Sequence, residues 1–256
     1  MKKTPITLEE RKKIQLEMLD EIDAFCRSHD IRYSLAFGTL IGAIRHKGYI
    51  PWDDDVDLIM PLPDMLRFKR EFISDKLAYV DIDTVSHYEY HFSRICYLPT
   101  YSKTGLLEKS YGVNIDLYPV VGMPDTEESI QKFLKDIEPL YKKRLKLIAI
   151  RRRLIKRLPF AFVPGYTSTI RQFRDVILNS YPYETAQNYL HAGRACWDNI
   201  FDFDVFERLI EVGFEGHTYM APERYHEYLT HCYGDYMQLP PENQRHPYHG
   251  GTYYWK

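Results

Sequence analysis

The sequence predicts an α/β fold, of the α+β kind with a mixed sheet, extended by a helical annex. Three observations carry that expectation. Within residues 1–125 the apolar spacing switches several times between a period of two and a period of about 3.6. From about 126 to 235 it turns helical. The chain has 256 residues, 45% of them hydrophobic, which is enough to bury a core without disulfide or metal staples. Residues 236–256 are too rich in Pro, Gly and aromatics for a regular element, and are expected to pack over the functional site.

The elements follow in chain order. Thr7 and Glu10 make a capping box, and Ile14, Met18, Ile22 and Phe25 recur at helical spacing, so residues 8–28 read as an amphipathic helix. Ile31 to Phe37 reads as a short strand, Gly38-Thr39 as a glycine turn, and Leu40, Ile41, Ala43 and Ile44 as a short helix that Gly48 ends. Asp53 to Met60 is an acidic cluster opening a strand that Pro61 stops. Pro63 then opens a helix to about Ile73. Further strands are expected at Tyr79 to Val85, His91 to Leu98 and Val113 to Tyr118, the last closed by Pro119. In the second half, Pro139, Pro159, Pro164-Gly165, Pro182 and Pro222 punctuate the helices.

Composition excludes several function classes. With 34 Lys+Arg against 36 Asp+Glu the formal net charge is -2, which argues against a basic nucleic-acid coat and against an acidic disordered tail. Cysteines at 26, 96, 196 and 232 form no CxxC pair and fit a reducing compartment. The basic N-terminus has no apolar stretch behind it, and no run approaches the roughly 18 apolar residues of a membrane span, so a cytoplasmic or peripheral protein is expected. No glycine-flanked serine or cysteine nucleophile occurs.

Asp53, Asp54, Asp55 and Asp57 crowd four carboxylates into five positions, where like charges raise one another's pKa unless a cation offsets them. If Asp55 and Asp57 lie on one strand, alternation puts both on one face, while Val56 and Leu58 point into the core. Converging carboxylates are what Mg²⁺ or Mn²⁺ takes from a protein, with water and phosphates completing the octahedron. Asp116 stands between Ile115 and Leu117 on another expected strand. If the strands are neighbours, Asp55, Asp57 and Asp116 form a triad able to hold two metal ions. Gly38 and Thr39 would supply a close backbone, a hydroxyl and a helix N-terminus for a phosphate. Asp53 would orient the ligands or hold water, and Asp54 would face away. Arg45, Lys47 and Arg94 are either phosphate ligands or surface ion pairs.

The run YSLAFGTLIGAIRHKGYIPWDDDVDLIMPLPD, with NIDLYPV downstream and YLTHCYGDYMQLPPENQRH near the end, closely resembles the LicD family of phosphocholine transferases, which includes fukutin-type relatives. The resemblance implies a polymerase-β-like nucleotidyltransferase core at 1–125, with 126–235 as annex. It also implies metal-dependent transfer of phosphocholine from CDP-choline to a hydroxyl of a cell-surface glycan precursor (teichoic acid, lipopolysaccharide or capsule), with CMP released. The family's metal pair maps to Asp55 and Asp57, its third carboxylate to Asp116, and its Gly-Ser turn to Gly38-Thr39. The zinc insert of the fukutin-type relatives has no matching cysteines here. Another CDP-alcohol, such as one of glycerol or ribitol, would suit the same metal site, and a non-catalytic membrane-surface adaptor is the alternative of a different class.

A trimethylammonium group is held by aromatic faces and a nearby carboxylate. Trp52, Tyr233, Tyr236, Tyr248, Tyr253, Tyr254 and Trp255 are the candidates, with packing as their ordinary use. Residues 139–174 hold eleven Lys or Arg and no acid, with Leu147, Ile150, Leu154 and Leu158 at helical spacing. That pattern fits either a helix packed on the core with a basic rim or contact with anionic lipid beside a lipid-linked acceptor.

Overall fold

The computed structural model describes residues 4–85, 88–102, 111–155, 162–179, 181–192, 200–247 and 251–256. Helix α1 (Leu8–Ser28) begins at the expected capping box, in which the Thr7 backbone N–H donates to Glu10 Oε2 at 2.7 Å and the Glu10 N–H to Thr7 Oγ1 at 3.2 Å. Its buried face is Ile14, Met18, Leu19, Ile22 and Cys26.

The main sheet runs in the order β1-β2-β6-β4-β3, with β1 (Ser34–Leu35), β2 (Asp57–Pro61), β3 (Leu77–Val80), β4 (Ser93–Tyr97) and β6 (Asn114–Met123). The central β2–β6 pair is parallel, whereas β1, β3 and β4 pair antiparallel, so the sheet is mixed as expected. Helix α2 (Phe37–Ile41) and a π-helical turn at Gly42–His46 connect β1 to the acidic loop, and α3 (Leu62–Glu71) follows β2. Strand β5 (Thr100–Ser102) pairs with β11 (Tyr253–Trp255).

Several expectations are corrected. Strand β6 does not close at Pro119 but continues to Met123. Pro119 sits where β4 has ended opposite Leu117 and β7 (Asn188–His191) begins opposite Val120, so the missing N–H interrupts neither antiparallel ladder. Pro139 likewise lies inside α4 (Glu127–Ile155) rather than ending it. Residues 126–235 are not a helical annex throughout. They carry α4, α5 (Tyr166–Leu178) and α6 (Tyr225–Tyr233), but also β7 and β8 (Ile200–Phe201), which extend the main sheet, and the hairpin of β9 (Leu209–Phe214) and β10 (His217–Pro222). Short strands were hidden there by the longer helical periodicity. The terminal segment is not wholly irregular, because β11 closes on β5 and the Ile6 N–H donates to the Tyr253 carbonyl at 2.8 Å.

The largest core cluster joins α1, β1, β2, β6 and the β9–β10 hairpin around Leu19, Ile22, Leu58, Ile115, Phe214 and Tyr219. Helices α4 and α5 bury Ile130, Ile137, Phe173 and Ile177 against Val121 and Met123 of β6, and Ile148 and Ile170 against Val80 and Ile82. Thus the helices pack on the sheet itself.

Candidate active site

The acids do not all lie on the strand. Strand β2 begins only at Asp57, and Asp53, Asp54 and Asp55 occupy the loop ahead of it. Asp55 therefore shares no strand face with Asp57, and the reason is local: three consecutive carboxylates repel and keep the chain out of the closely paired ladder. Carboxylate oxygens of Asp53, Asp54 and Asp55 lie within 4.8 Å of one another, and among the described residues this is the acid group that comes together so closely; Asp55, Asp57 and Asp116 do not.

Helix α1 holds the loop from behind. Arg11 Nη1 donates to Asp54 Oδ2 at 2.9 Å in a buried ion pair, its guanidinium lies 4.7 Å from the Tyr253 ring centre, and Gln15 Nε2 donates to the Asn114 carbonyl at 3.2 Å. Asp54 is thus paired to α1 while its carboxylate stays within the same acidic group, so it does not face away from Asp53 and Asp55 as alternation suggested. Asp53 faces Gly38: a Cβ on that glycine would stand 2.7 Å from Asp53 Oδ2, so only glycine lets the carboxylate approach. Burial, then the charge of Asp55 and a hydrogen bond with it, push the Asp53 carboxyl up to about 7.

Gly38 and Thr39 fall inside the first turn of α2, whose opening residue Phe37 adopts φ +47°. Such strain in a bulky residue persists only where packing enforces it; here the Phe37 ring lies 5.3 Å edge-on to Tyr118 and 6.3 Å from Tyr228. Thr39 is buried, and its hydroxyl accepts the Asp57 backbone N–H at 2.9 Å. The Ala36 N–H donates to the Asp57 carbonyl at 3.0 Å. Both contacts fix the start of β2 against α2.

Asp57 and Asp116 are register partners on the parallel pair, and Arg94 is the partner of Asp116 on β4. The Asp116 carboxylate accepts from Arg94 Nε at 2.7 Å, Asn114 Nδ2 at 2.7 Å and the Tyr118 hydroxyl at 3.4 Å, while Arg94 stacks over Tyr90 at 4.1 Å. Arg94 therefore neutralises a carboxylate rather than standing on the surface. Asn114, Asp116 and Tyr118 share one strand face, and alternation alone could have found that trio; Tyr90 and Arg11 join through tertiary contact, without a sequence signal.

The remaining candidates scatter. Arg45 Nη1 donates to the backbone carbonyls of Tyr236 and Gln238, so it ties the π-helical turn to the terminal segment. Lys47 is exposed in the left-handed region, at φ +59°. Tyr233 is 47% exposed, and burial, then the charge of Asp57, raise its pKa well above the ordinary tyrosine value. Tyr236 is buried with its hydroxyl 3.0 Å from His226 Nδ1. Trp52 is half-buried with Arg245 over its ring at 5.6 Å. Trp255 is exposed on β11, edge-on to Tyr97, and Tyr254 stacks on Tyr101. Tyr248 lies outside the described residues.

The donor set fits a hard divalent cation. Asp53 and Asp55 offer clustered oxygens whose mutual repulsion a cation would relieve, with Asp57 next along the chain, whereas Asp54 is committed to Arg11 and Asp116 to Arg94.

Residues 30–145 match the family described as LicD/FKTN/FKRP, nucleotidyltransferase domain. The chain is 29% identical over 260 residues, covering 95% of this chain and 96% of the other, to the lipopolysaccharide cholinephosphotransferase LicD of Haemophilus influenzae. An uncharacterized protein of Rickettsia typhi is 33% identical over 64 residues, 25% of this chain and 21% of that one. The matched segment holds the glycine turn, the acidic loop, Arg94 and Asp116 together, so residues 30–145 carry a segment similar to the LicD-type nucleotidyltransferase domain.

Proposed function

We propose that the protein transfers phosphocholine from CDP-choline to a hydroxyl of a lipopolysaccharide-type glycan and releases CMP, on a nucleotidyltransferase-type core. The observation that carries this reading is the end-to-end similarity to a lipopolysaccharide cholinephosphotransferase. The acidic loop poised over Gly38 supports it chemically. In the transfer, the acceptor oxygen forms a bond to the choline-bearing phosphorus, the bond from that phosphorus to the CMP oxygen breaks, and the hydroxyl proton leaves to a carboxylate or water. A divalent cation at Asp53, Asp55 and Asp57 would neutralise phosphate charge. The chain's own residues do the rest. Arg11 and Gln15 hold the loop, Thr39 fixes the start of β2, and Arg94 offsets Asp116 on the neighbouring strand. The half-exposed Tyr233 offers an aromatic face to the trimethylammonium group.

CMP release across a panel of CDP-alcohols tests the reading. Turnover with CDP-choline, a lipopolysaccharide acceptor and Mg²⁺ or Mn²⁺ is expected, with Asp55→Asn losing at least about a hundredfold, the scale of one lost charge-stabilising group. No CMP from any donor would reject the reaction class, and preference for CDP-glycerol or CDP-ribitol would reassign the donor.

A further inference from the structure

Helix α4 carries seven cations and no acid between Pro139 and Ile155, and the fold divides them between two faces. Arg144, Ile148 and Arg151 point inward: Arg144 donates to the Glu89 carbonyl at 3.0 Å, and Arg151 lies 4.9 Å from the Tyr166 ring centre. Lys142, whose Nζ pairs with the exposed Glu138 at 2.8 Å, Lys146, Ala149 and Arg153, spaced i, i+4, i+7 and i+11, form an outward row within about 60° of the helix circumference. Lys143 and Ile150 flank that row on one side, Leu145 and Arg152 on the other. Leu145 is 45% and Ile150 37% exposed, and Phe162, just before α5 in the chain, is 76% exposed.

We infer that this outward face docks on a membrane surface containing anionic lipid. Cations attract such a surface and aliphatic side chains enter its interface; each signal alone holds weakly, and the two together suffice for reversible docking. A nucleic acid would use the cations and leave Leu145 and Ile150 exposed to water. The face also adjoins the candidate site. Arg152 pairs with Glu89 at 2.7 Å, the neighbouring Tyr90 ring stacks on Arg94, and Arg94 holds Asp116. Docking there would present the site to an acceptor anchored in the same surface. The lipid contact itself does not depend on the proposed chemistry.

Flotation of the full chain with phosphatidylcholine vesicles, with and without phosphatidylglycerol, tests the inference. The wild-type protein should float with the anionic vesicles, be released by salt as screening grows, and ignore phosphatidylcholine alone. A Lys142→Gln, Lys146→Gln, Arg153→Gln triple variant should bind about a hundredfold more weakly, from about 1 kcal/mol for each lost cation at 1.4 kcal/mol per tenfold. A Leu145→Ser, Ile150→Ser variant, exposed at both positions, should weaken binding while keeping the salt dependence. Failure of the wild type to float with anionic vesicles would overturn the inference, as would a triple variant that floats equally well. So would displacement of the anionic vesicles by an RNA oligonucleotide that also binds the protein in their absence. CMP release with a soluble acceptor, read in parallel, keeps a failure of the proposed chemistry distinct from a failure of docking.

Discussion

Asp53 combines a close glycine, a neighbouring acid and partial burial, and the result is a carboxyl raised from its ordinary 3.8 to about 7. Below pH 4 the group is protonated in both the folded and unfolded chain and contributes nothing; between about 4 and 7 only the folded chain keeps the proton, so stability falls as pH rises through that interval. Without metal, Asp53→Asn should therefore raise the thermal midpoint at pH 8 and leave it near wild type at pH 4. Mg²⁺ or Mn²⁺ should stabilise the wild type more at pH 8 than at pH 5, because ligation needs the ionised form. Scanning fluorimetry at these pH values measures both effects, and an equal Asp53→Asn shift at pH 4 and pH 8 would remove the carboxyl from this role.

The elements that frame the site are short, and side-chain-to-backbone bonds hold them together. The π-helical turn at Gly42–His46 is closed by Gly48 and fastened to the terminal segment by Arg45. Hydrogen bonds from a charged donor contribute about 1.5–3 kcal/mol each, less where partly solvated. Arg45→Met should then cost about 2 kcal/mol and speed tryptic cleavage at Arg245, which lies beyond the anchored carbonyls. Denaturant titration and limited proteolysis read these separately; cleavage at the wild-type rate would show that the segment is held by its packing alone.

Among the described residues a seven-stranded sheet joins the first half of the chain to the second. Strands β7 and β8, far along the chain, extend β6, and the β9–β10 hairpin contributes Phe214, Tyr219 and Ala221 to the main core. Residues 1–125 alone would leave Val121 and Met123 and much of that core in water, at about 25 cal/mol per Å² of exposed apolar surface. The 1–125 fragment is accordingly expected to lack a cooperative thermal transition in near-ultraviolet circular dichroism, while the full chain shows a single one. A cooperative transition in the fragment would restore the boundary near 125 that the sequence suggests.

Local chemistry was legible in the sequence wherever the cause was local. The capping box of α1 and the mixed α/β character follow from spacing and residue type, whereas the pairing of β2 with β6 was only a condition there and the approach of Asp53 to Gly38 had no signal. No helix of the described residues is long and apolar enough to cross a membrane, as hydropathy implied. The tertiary structure decided the rest. Whether Asp55 sits on a strand depended on where the repelling carboxylates let pairing begin, and which acid is offset depended on Arg11 and Arg94 arriving from other elements. The seven cations of α4 read as a single basic segment in the sequence, but only packing against Glu89 and Tyr166 separated the inward arginines from the outward row. Periodicity records what a segment does by itself. A charge's partner, and a short strand's membership in a sheet, depend on contacts between residues far apart in the chain.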